Sequence, residues 1–335
     1  MMKILVTGVA GFLGSHVANT LSNQGHEIVG IDNLVGGYKS NIGSNINFLH
    51  EDLLNYHNLA QCFEGTDIVI HSACTAYEGL SVFSPSYVVN NTYQITVNAI
   101  SWAIKSGVKK FVYLSSMARY GTQTTFPFVE SMTPKPQDPY GIAKYASELT
   151  LANLSETHEM EYVILVPHNI IGPGQKYDDP FRNVASIMIN RMLQGKQPII
   201  YGNGEQLRCF SFIDDVVQPL VNSCFNTDAI GEVINIGPDE ELVTINDLAR
   251  MIGRILDFKV KPIYVPERPQ EVKIATCSAN KARDILNYRT TVNLESGLTK
   301  LASWIAKNGS KEFEYHIPLE IDSELTPKTW THKQI

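Results

Sequence analysis

A tyrosine and a lysine stand four residues apart in "QDPYGIAKYASEL" (137–149), just behind a proline suited to the first turn of a helix. That spacing sets Tyr140 and Lys144 on one helix face, one turn from each other. Two readings follow. The pair is a solvated surface contact, or the ammonium draws the phenol's pKa down so that it exchanges a proton near neutral pH. A second constellation is the glycine series Gly8, Gly11 and Gly14 in "TGVAGFLG". Glycine lets a turn tighten and lets backbone N–H groups approach a pyrophosphate at a helix start. Asp32 lies 18 residues beyond Gly14, at the end of the next apolar run. An acid there suits a ribose hydroxyl and repels a 2′-phosphate, which favours NAD over NADP. The plainer alternative is a tight strand-to-helix turn with a cap. Asp52, in "HED", either reaches an adenine amino group or caps the next helix.

These residues need strands and helices to hold them. "KILVTG" (3–8) is a short β-branched run ending in glycine, and "FLGSHVANTLSNQG" (12–25) has helical periodicity up to a glycine. "EIVGIDN" (27–33), "INFLHEDL" (46–53), "DIVIHSAC" (67–74), "KKFVYLSS" (109–116) and "EYVILVP" (161–167) read as further strands. Helices are expected near 55–64, 84–106 and 140–158. Strands spaced by helices imply an α/β fold with a parallel sheet covered on both faces. Ligands of such sheets bind at the carboxyl ends of the strands, where Ser116 ends "KKFVYL" facing the same crevice as the start of the 140s helix. After residue 170 the pattern loosens, with helical segments at 183–194 and 244–256 among Pro- and Gly-containing loops. The organisation expected is a nucleotide-binding domain over 1–170, a return segment near 205–240, and a smaller lobe from 171–204 and 241–335.

Composition narrows the partners. Of 335 residues, 27 are Lys or Arg and 34 Asp or Glu, a net charge of −7. A general nucleic-acid binder would show a basic balance instead. No run of about 18 apolar residues suggests a membrane span. "MMKILVTG" runs straight into a strand with no signal-peptide pattern. The five cysteines are scattered without a C-x-x-C pair, which points to reduced cytoplasmic thiols and to no metal site.

The ordered set Gly8/Gly11/Gly14, Asp32, Ser115–Ser116 before Tyr120, and Tyr140-x-x-x-Lys144 resembles the extended short-chain dehydrogenases/reductases. Within them it is similar to the NAD-dependent nucleotide-sugar epimerase/dehydratase branch, with UDP-glucose/UDP-galactose 4-epimerase as its type. The resemblance spans nearly the whole chain. It implies a Rossmann-type doubly wound parallel sheet with a smaller C-terminal substrate-binding lobe. It implies Tyr140 as general base and acid, Lys144 on the nicotinamide ribose lowering the tyrosine's pKa, and Ser116 on the reacting hydroxyl. For NAD it implies Gly8, Gly11, Phe12, Leu13, Gly14, Asp32, Asn33, Asp52, Leu53, Ala73, Asn91, Ser115, Tyr140, Lys144 and Pro167. A helix-capping role is the alternative for Asn91. For the nucleoside-diphosphate sugar it implies Asn169, Arg208 and Arg268 on the diphosphate or nucleoside, with Ser116 and Tyr140 at the sugar. Arginine suits a diphosphate because its fork donates two hydrogen bonds under a fixed charge. His168, in "PHN", takes a place often aromatic in relatives; it contacts the sugar or is a structural histidine. By the same analogy Tyr77 and Glu78 lie at the hexose end.

The reaction is read beside Ser116. Relatives that eliminate water carry an Asp-Glu pair after the serine, and decarboxylases carry a glutamate at the place of Ala118. Met117 and Ala118 transfer no proton, which leaves C4 epimerisation through a transient 4-keto sugar. The alternatives are a 4,6-dehydratase or decarboxylase, a 4-keto-sugar reductase, and a non-catalytic NAD-sensing protein. Ala275 or Thr276 is the expected small residue at the sugar pocket, leaving room for an N-acetyl group. Relatives also suggest a homodimer packed through the helices near 88–106 and 140–158.

Overall fold

The computed structural model describes residues 1–335. Seven parallel strands form one sheet: β1 (Lys3–Thr7), β2 (Glu27–Asp32), β3 (Asn47–His50), β4 (Ile68–His71), β5 (Lys110–Leu114), β6 (Glu161–Pro167) and β7 (Val233–Ile236). Their spatial order is β7-β6-β5-β4-β1-β2-β3, so the chain reverses direction across the sheet between β1 and β4. That is the doubly wound Rossmann-type order, with its ligand crevice at the reversal. Side chains of β1 alternate between two cores. Ile4 and Val6 join one apolar cluster and Leu5 the other, as a sheet buried on both faces requires.

Five helices matter for the site: α1 (Phe12–Asn23), α2 (Ile95–Lys105), α3 (Pro139–His158), α4 (Val184–Leu193) and α5 (Ile213–Phe225). The expected helix over 84–106 is interrupted. Residues Pro85–Val89 make a short helix, and Asn90–Gln94 form a π turn with Asn91 at φ −84°, ψ 16° before α2 begins. One extra residue in the turn opens the backbone ladder, and such bulges recur at functional sites. Here the opened ladder frees the Asn91 carbonyl to accept from the Thr75 N–H (3.0 Å), which ties down the loop after β4. The helix expected over 55–64 is only a 3₁₀ turn at Tyr56–Asn58 and one α turn at Ala60–Phe63.

In the 205–240 stretch, α5 packs against α1 and β7 extends the main sheet beside β6. Leu207–Arg208 does not join that sheet. It pairs with Val243–Thr244 and Ile274–Ala275 in a small three-stranded sheet over the strand ends. The last residues fold back as well. Ile317, Trp330 and Ile335 share an apolar cluster with Tyr77, Leu80 and Phe83. No helix is long and apolar enough to cross a membrane.

Candidate active site

One cavity of about 470 Å³ runs along the carboxyl ends of β1, β2, β4 and β5. At one end is the glycine turn. Gly8 sits at φ +71°, and a Cβ there would come within 2.8 Å of the Ala73 backbone. A Cβ on Gly14 would lie 2.2 Å from the Gly8 carbonyl. Only glycine lets α1 start this close to β1 and β4. No side chain caps α1; its N-cap Gly11 donates to Gly8 O (3.0 Å), and Phe12, Leu13 and Gly14, in the first turn where backbone N–H groups lack helical partners, line the cavity with it.

Asp32 borders the same end. Its carboxylate accepts from Ala10 N (2.9 Å) and Leu34 N (2.6 Å). Burial pushes its pKa up, with those backbone bonds opposing. A carboxylate has about four acceptor positions, so two remain for a ribose hydroxyl. Asp52 accepts from Leu54 N (2.8 Å) and from Asn33 Nδ2 (3.0 Å), so it holds its own turn and also lines the cavity. Leu53, Ala73, Asn91, Ser115 and Pro167 line it too. The Asn91 amide donates to Tyr87 O (2.9 Å), the structural role, and the Ser115 hydroxyl is bonded to Glu148.

The middle of the cavity holds Tyr140, Lys144 and Ser116. Asp138 caps α3 by accepting from Gly141 N (2.9 Å), with Pro139 next in the chain. Gly141 then lets α3 meet the 3₁₀ turn Met117–Arg119, since a Cβ there would lie 2.6 Å from Ala118 O. This contact brings Tyr140 and Ser116 to the same stretch of the cavity wall. Behind them Arg119 and Glu148 form a buried pair at 3.0 Å that fastens the turn to α3.

The tyrosine departs from the expectation of a lowered pKa. Burial drives the Tyr140 phenol well above its usual value, and the Cys74 and Glu78 side chains push the same way, with Ser116 opposing. Lys144 donates to Leu114 O (2.6 Å), and its Nζ lies 5.9 Å from the Tyr140 ring centre. The ammonium is therefore positioned by the end of β5, and protein charges alone do not make a phenolate here.

The far end of the cavity is built from charge. Arg208 and Arg268 converge on Glu271, at 3.1 and 2.6 Å. Although burial opposes it, the two guanidiniums hold the Glu271 carboxyl below the usual range. Glu78 faces this group from the loop after β4. It lines the cavity, where enclosure by the protein, with Asp138 adding to it and Arg208 opposing, pushes its pKa up to about 7. Asn169 lines the wall at φ 32°, a left-handed strain typical of functional positions, and its amide donates to Cys209 O (3.1 Å).

Two expectations fail on geometry. His168 does not reach the cavity. It is 1% exposed, pressed behind the wall against Gly237, and burial takes its pKa down to about 4. Ala275 and Thr276 do not line the cavity either. Ala275 is paired in the small sheet and Thr276 faces Cys209, so Pro269 to Val272 form that wall instead. Three features went unread in the sequence: Cys74, whose side chain lines the cavity with Lys144; Arg182; and Ile335, part of the cavity wall. Arg182 lies in "YDDPFRN", a loop without periodicity; its one signal was an isolated cation beyond the carboxyl end of a strand.

The NAD dependent epimerase/dehydratase family model matches residues 4–237. The chain belongs to that family. Among solved structures, the UDP-glucose 4-epimerase of Thermotoga maritima with UDP-glucose is 31% identical, with a TM-score of 0.87 over 92% of this chain and 99% of that one. The UDP-glucuronic acid 4-epimerase of Bacillus cereus, in complex with UDP-glucuronic acid and NAD, is 30% identical, with a TM-score of 0.84 over 92% of this chain and 100% of that one. A UDP-N-acetyl-α-D-glucosaminuronate decarboxylase of Bacillus cytotoxicus is 28% identical over 90% of this chain and 97% of its own length. NAD is the family's cofactor, and the residues here fit it: an uncapped helix start against a glycine turn, an acid at the end of β2, and the Tyr140–Lys144 pair all line one cavity at the β1/β4 reversal, where sheets of this kind bind dinucleotides.

Proposed function

We propose that this family member epimerises a UDP-hexose at C4. The observation that carries the reading is that Tyr140 and Ser116 line one cavity with the glycine turn and with Arg208 and Arg268. NAD, when bound, supplies the hydride acceptor and donor. Ser116 and Tyr140 hold the C4 hydroxyl, and Tyr140 takes its proton as the 4-keto sugar forms. With the keto sugar turned over, the same phenol returns the proton to the C4 oxygen, and the hydroxyl is re-formed with inverted configuration. Proton transfer of this kind is worth roughly 10²–10⁴-fold. Because burial raises the phenol, the reading also assigns the positive nicotinamide ring the task of bringing it down, with Lys144 fixing the ribose beside it. Arg208, Arg268 and Asn169 take the nucleotide's diphosphate, and Glu78 and the loop of Tyr77 face the hexose.

Glu78 supports a second reading. A carboxyl that lines the same cavity as Tyr140, its pKa raised from the usual carboxylate range, is an additional acid or base, which a lyase would use after the oxidation. Proton NMR of the sugar H1 and H4 signals, over UDP-, dTDP- and GDP-hexoses including N-acetyl and uronic forms, separates the two. A C4 epimer with no net NADH supports the first. A 4-keto-6-deoxy sugar or released CO₂ supports the second, and Glu78→Gln would then abolish that product.

We also propose a homodimer through α2 and α3 in a reducing compartment. Ile142 and Leu149, seven residues apart on α3, are 54% and 55% exposed. All five cysteines are free. Light scattering of the wild type and of Ile142→Glu/Leu149→Glu tests the dimer: the expected result is a dimer that becomes a monomer.

A further inference from the structure

Arg182 has no task in the reaction above, yet it is held with unusual care. It follows Asp179–Pro180–Phe181, just before α4. Its Nε donates to Asp179 Oδ2 (3.3 Å) and points at the Tyr77 hydroxyl (3.4 Å), and its guanidinium lies 5.0 Å over the Tyr77 ring. Tyr77 in turn donates to Asp179 Oδ2 at 2.5 Å. His316, from the C-terminal segment, comes within 3.4 Å of the Tyr77 hydroxyl and 3.9 Å of Asp179. The Asp179 side chain is wholly buried. Tyr77 and Asp179 thus hold one guanidinium by its Nε edge, with His316 set against both of them.

The other edge is directed at the glycine turn. Nη2 lies 2.5 Å from where a Cβ on Gly36 would be, and the adjoining Gly37 lies against the Ala10 carbonyl in the turn itself. Arg182 lines the cavity, while its protein hydrogen bonds are all through Nε. Its charge acts on Asp32 in one direction and on Cys74, beside Lys144, in the other. Asp32 marks the adenosine ribose end of a bound dinucleotide and Lys144 the nicotinamide end. What lies between them is the diphosphate. The substrate diphosphate has its own arginines, Arg208 and Arg268, gathered on Glu271.

We propose that Arg182 binds the diphosphate of NAD from the side opposite the α1 N-terminus, closing the dinucleotide between the glycine turn and the loop before α4. Tyr77, Asp179 and His316 are positioning residues for it. A fork donating to a doubly charged oxyanion completes what an uncapped helix start begins. The inference rests on the dinucleotide reading of the cavity and is independent of which sugar reaction follows.

The test is binding to the full-length, cofactor-stripped chain, with NAD, ADP, adenosine and UDP as probes in titration calorimetry. For Arg182→Gln the expected result is a dissociation constant for NAD and ADP raised roughly 10- to 100-fold, the loss of one charge-assisted contact. Adenosine and UDP stay within about twofold of the wild type. Arg182→Lys, which keeps the charge and loses the fork, falls between. Because Arg182→Gln strands the buried Asp179, the double variant Arg182→Gln/Asp179→Asn removes both charges and provides a folded comparison. In the unaltered chain, phenylglyoxal labelling of Arg182, read by peptide mass spectrometry, is suppressed by NAD and ADP and not by UDP. Unchanged NAD affinity in a folded variant overturns the proposal. So does a loss confined to UDP, which would place Arg182 on the substrate. If the wild type itself fails to bind NAD, the dinucleotide reading falls with it; a wild type that binds NAD but turns over no sugar leaves this proposal standing and removes only the C4 reaction.

Discussion

The two ends of the cavity are made of different material. The dinucleotide end is backbone: glycines spaced so that Cβ atoms would collide with Ala73 and with the Gly8 carbonyl, and an uncapped helix start. Its parts fall within one strand–turn–helix and the next strand. The sugar end is side chain: Glu78, Arg208, Arg268 and Glu271 meet from three separate stretches of chain, and their charges set one another's titration. A site built from local backbone tolerates almost no change in shape, whereas a site built from paired charges tolerates shape changes but not the loss of one partner. That contrast gives a family one cofactor end and many sugar ends.

The largest effect is expected where the ends meet. Tyr140→Phe should lower kcat by roughly 10²–10⁴-fold while leaving NAD retention unchanged. Full turnover in this variant, measured by coupled assay or NMR, would remove the phenol from the chemistry. At the charged end, Glu271→Ala leaves two guanidiniums facing each other. The stability loss in urea should be somewhat below the roughly 3–5 kcal/mol of a fully buried pair, because the cavity admits water. If it is negligible, the end is not held by paired charge. At the backbone end, Gly14→Ala pushes a methyl into Gly8 O and Ser72 Oγ. A loss of about 1–3 kcal/mol is expected, together with weaker NAD binding. Unaltered NAD affinity would show the turn to be less rigid than its contacts indicate.

The smallest effect at neutral pH comes from His71, the last residue of β4. It is fully buried between the Thr7 and Thr96 hydroxyls (2.8 and 2.9 Å), and burial with Lys144 nearby lowers its pKa to about 3. The unfolded chain binds this proton near pH 6.5 and the folded chain does not until about pH 3. The stability is therefore fully present above pH 6.5 and is lost as pH falls toward 3, at up to about 1.4 kcal/mol per pH unit. His168 acts likewise down to about pH 4. Urea midpoints between pH 7 and 4.5 should fall, and His71→Gln should flatten the slope; an equal slope in that variant assigns the acid sensitivity elsewhere.

Much of the cofactor end was legible because its logic is local. The G-x-x-G-x-x-G spacing, the strand before it and the acid after it occupy fewer than 35 consecutive residues. Tyr140 and Lys144 were legible for the same reason: helical periodicity alone places them on one face. The sequence also determined the strand–helix alternation, and with it a parallel sheet with a crevice at its reversal. What the tertiary structure decided is everything that depends on distance between remote segments. Solvation lies there, so the phenol rises where neighbour charge alone suggested it would fall. Wall membership lies there, so His168 is behind the cavity and Val272, not Ala275, is at it. The clamping of Arg182 by Tyr77, Asp179 and His316 lies there too, since residues up to 239 positions apart share one hydrogen-bond network. Periodicity and spacing report what a residue's near neighbours demand, while burial and charge pairing are properties of whatever the folded chain brings next to it.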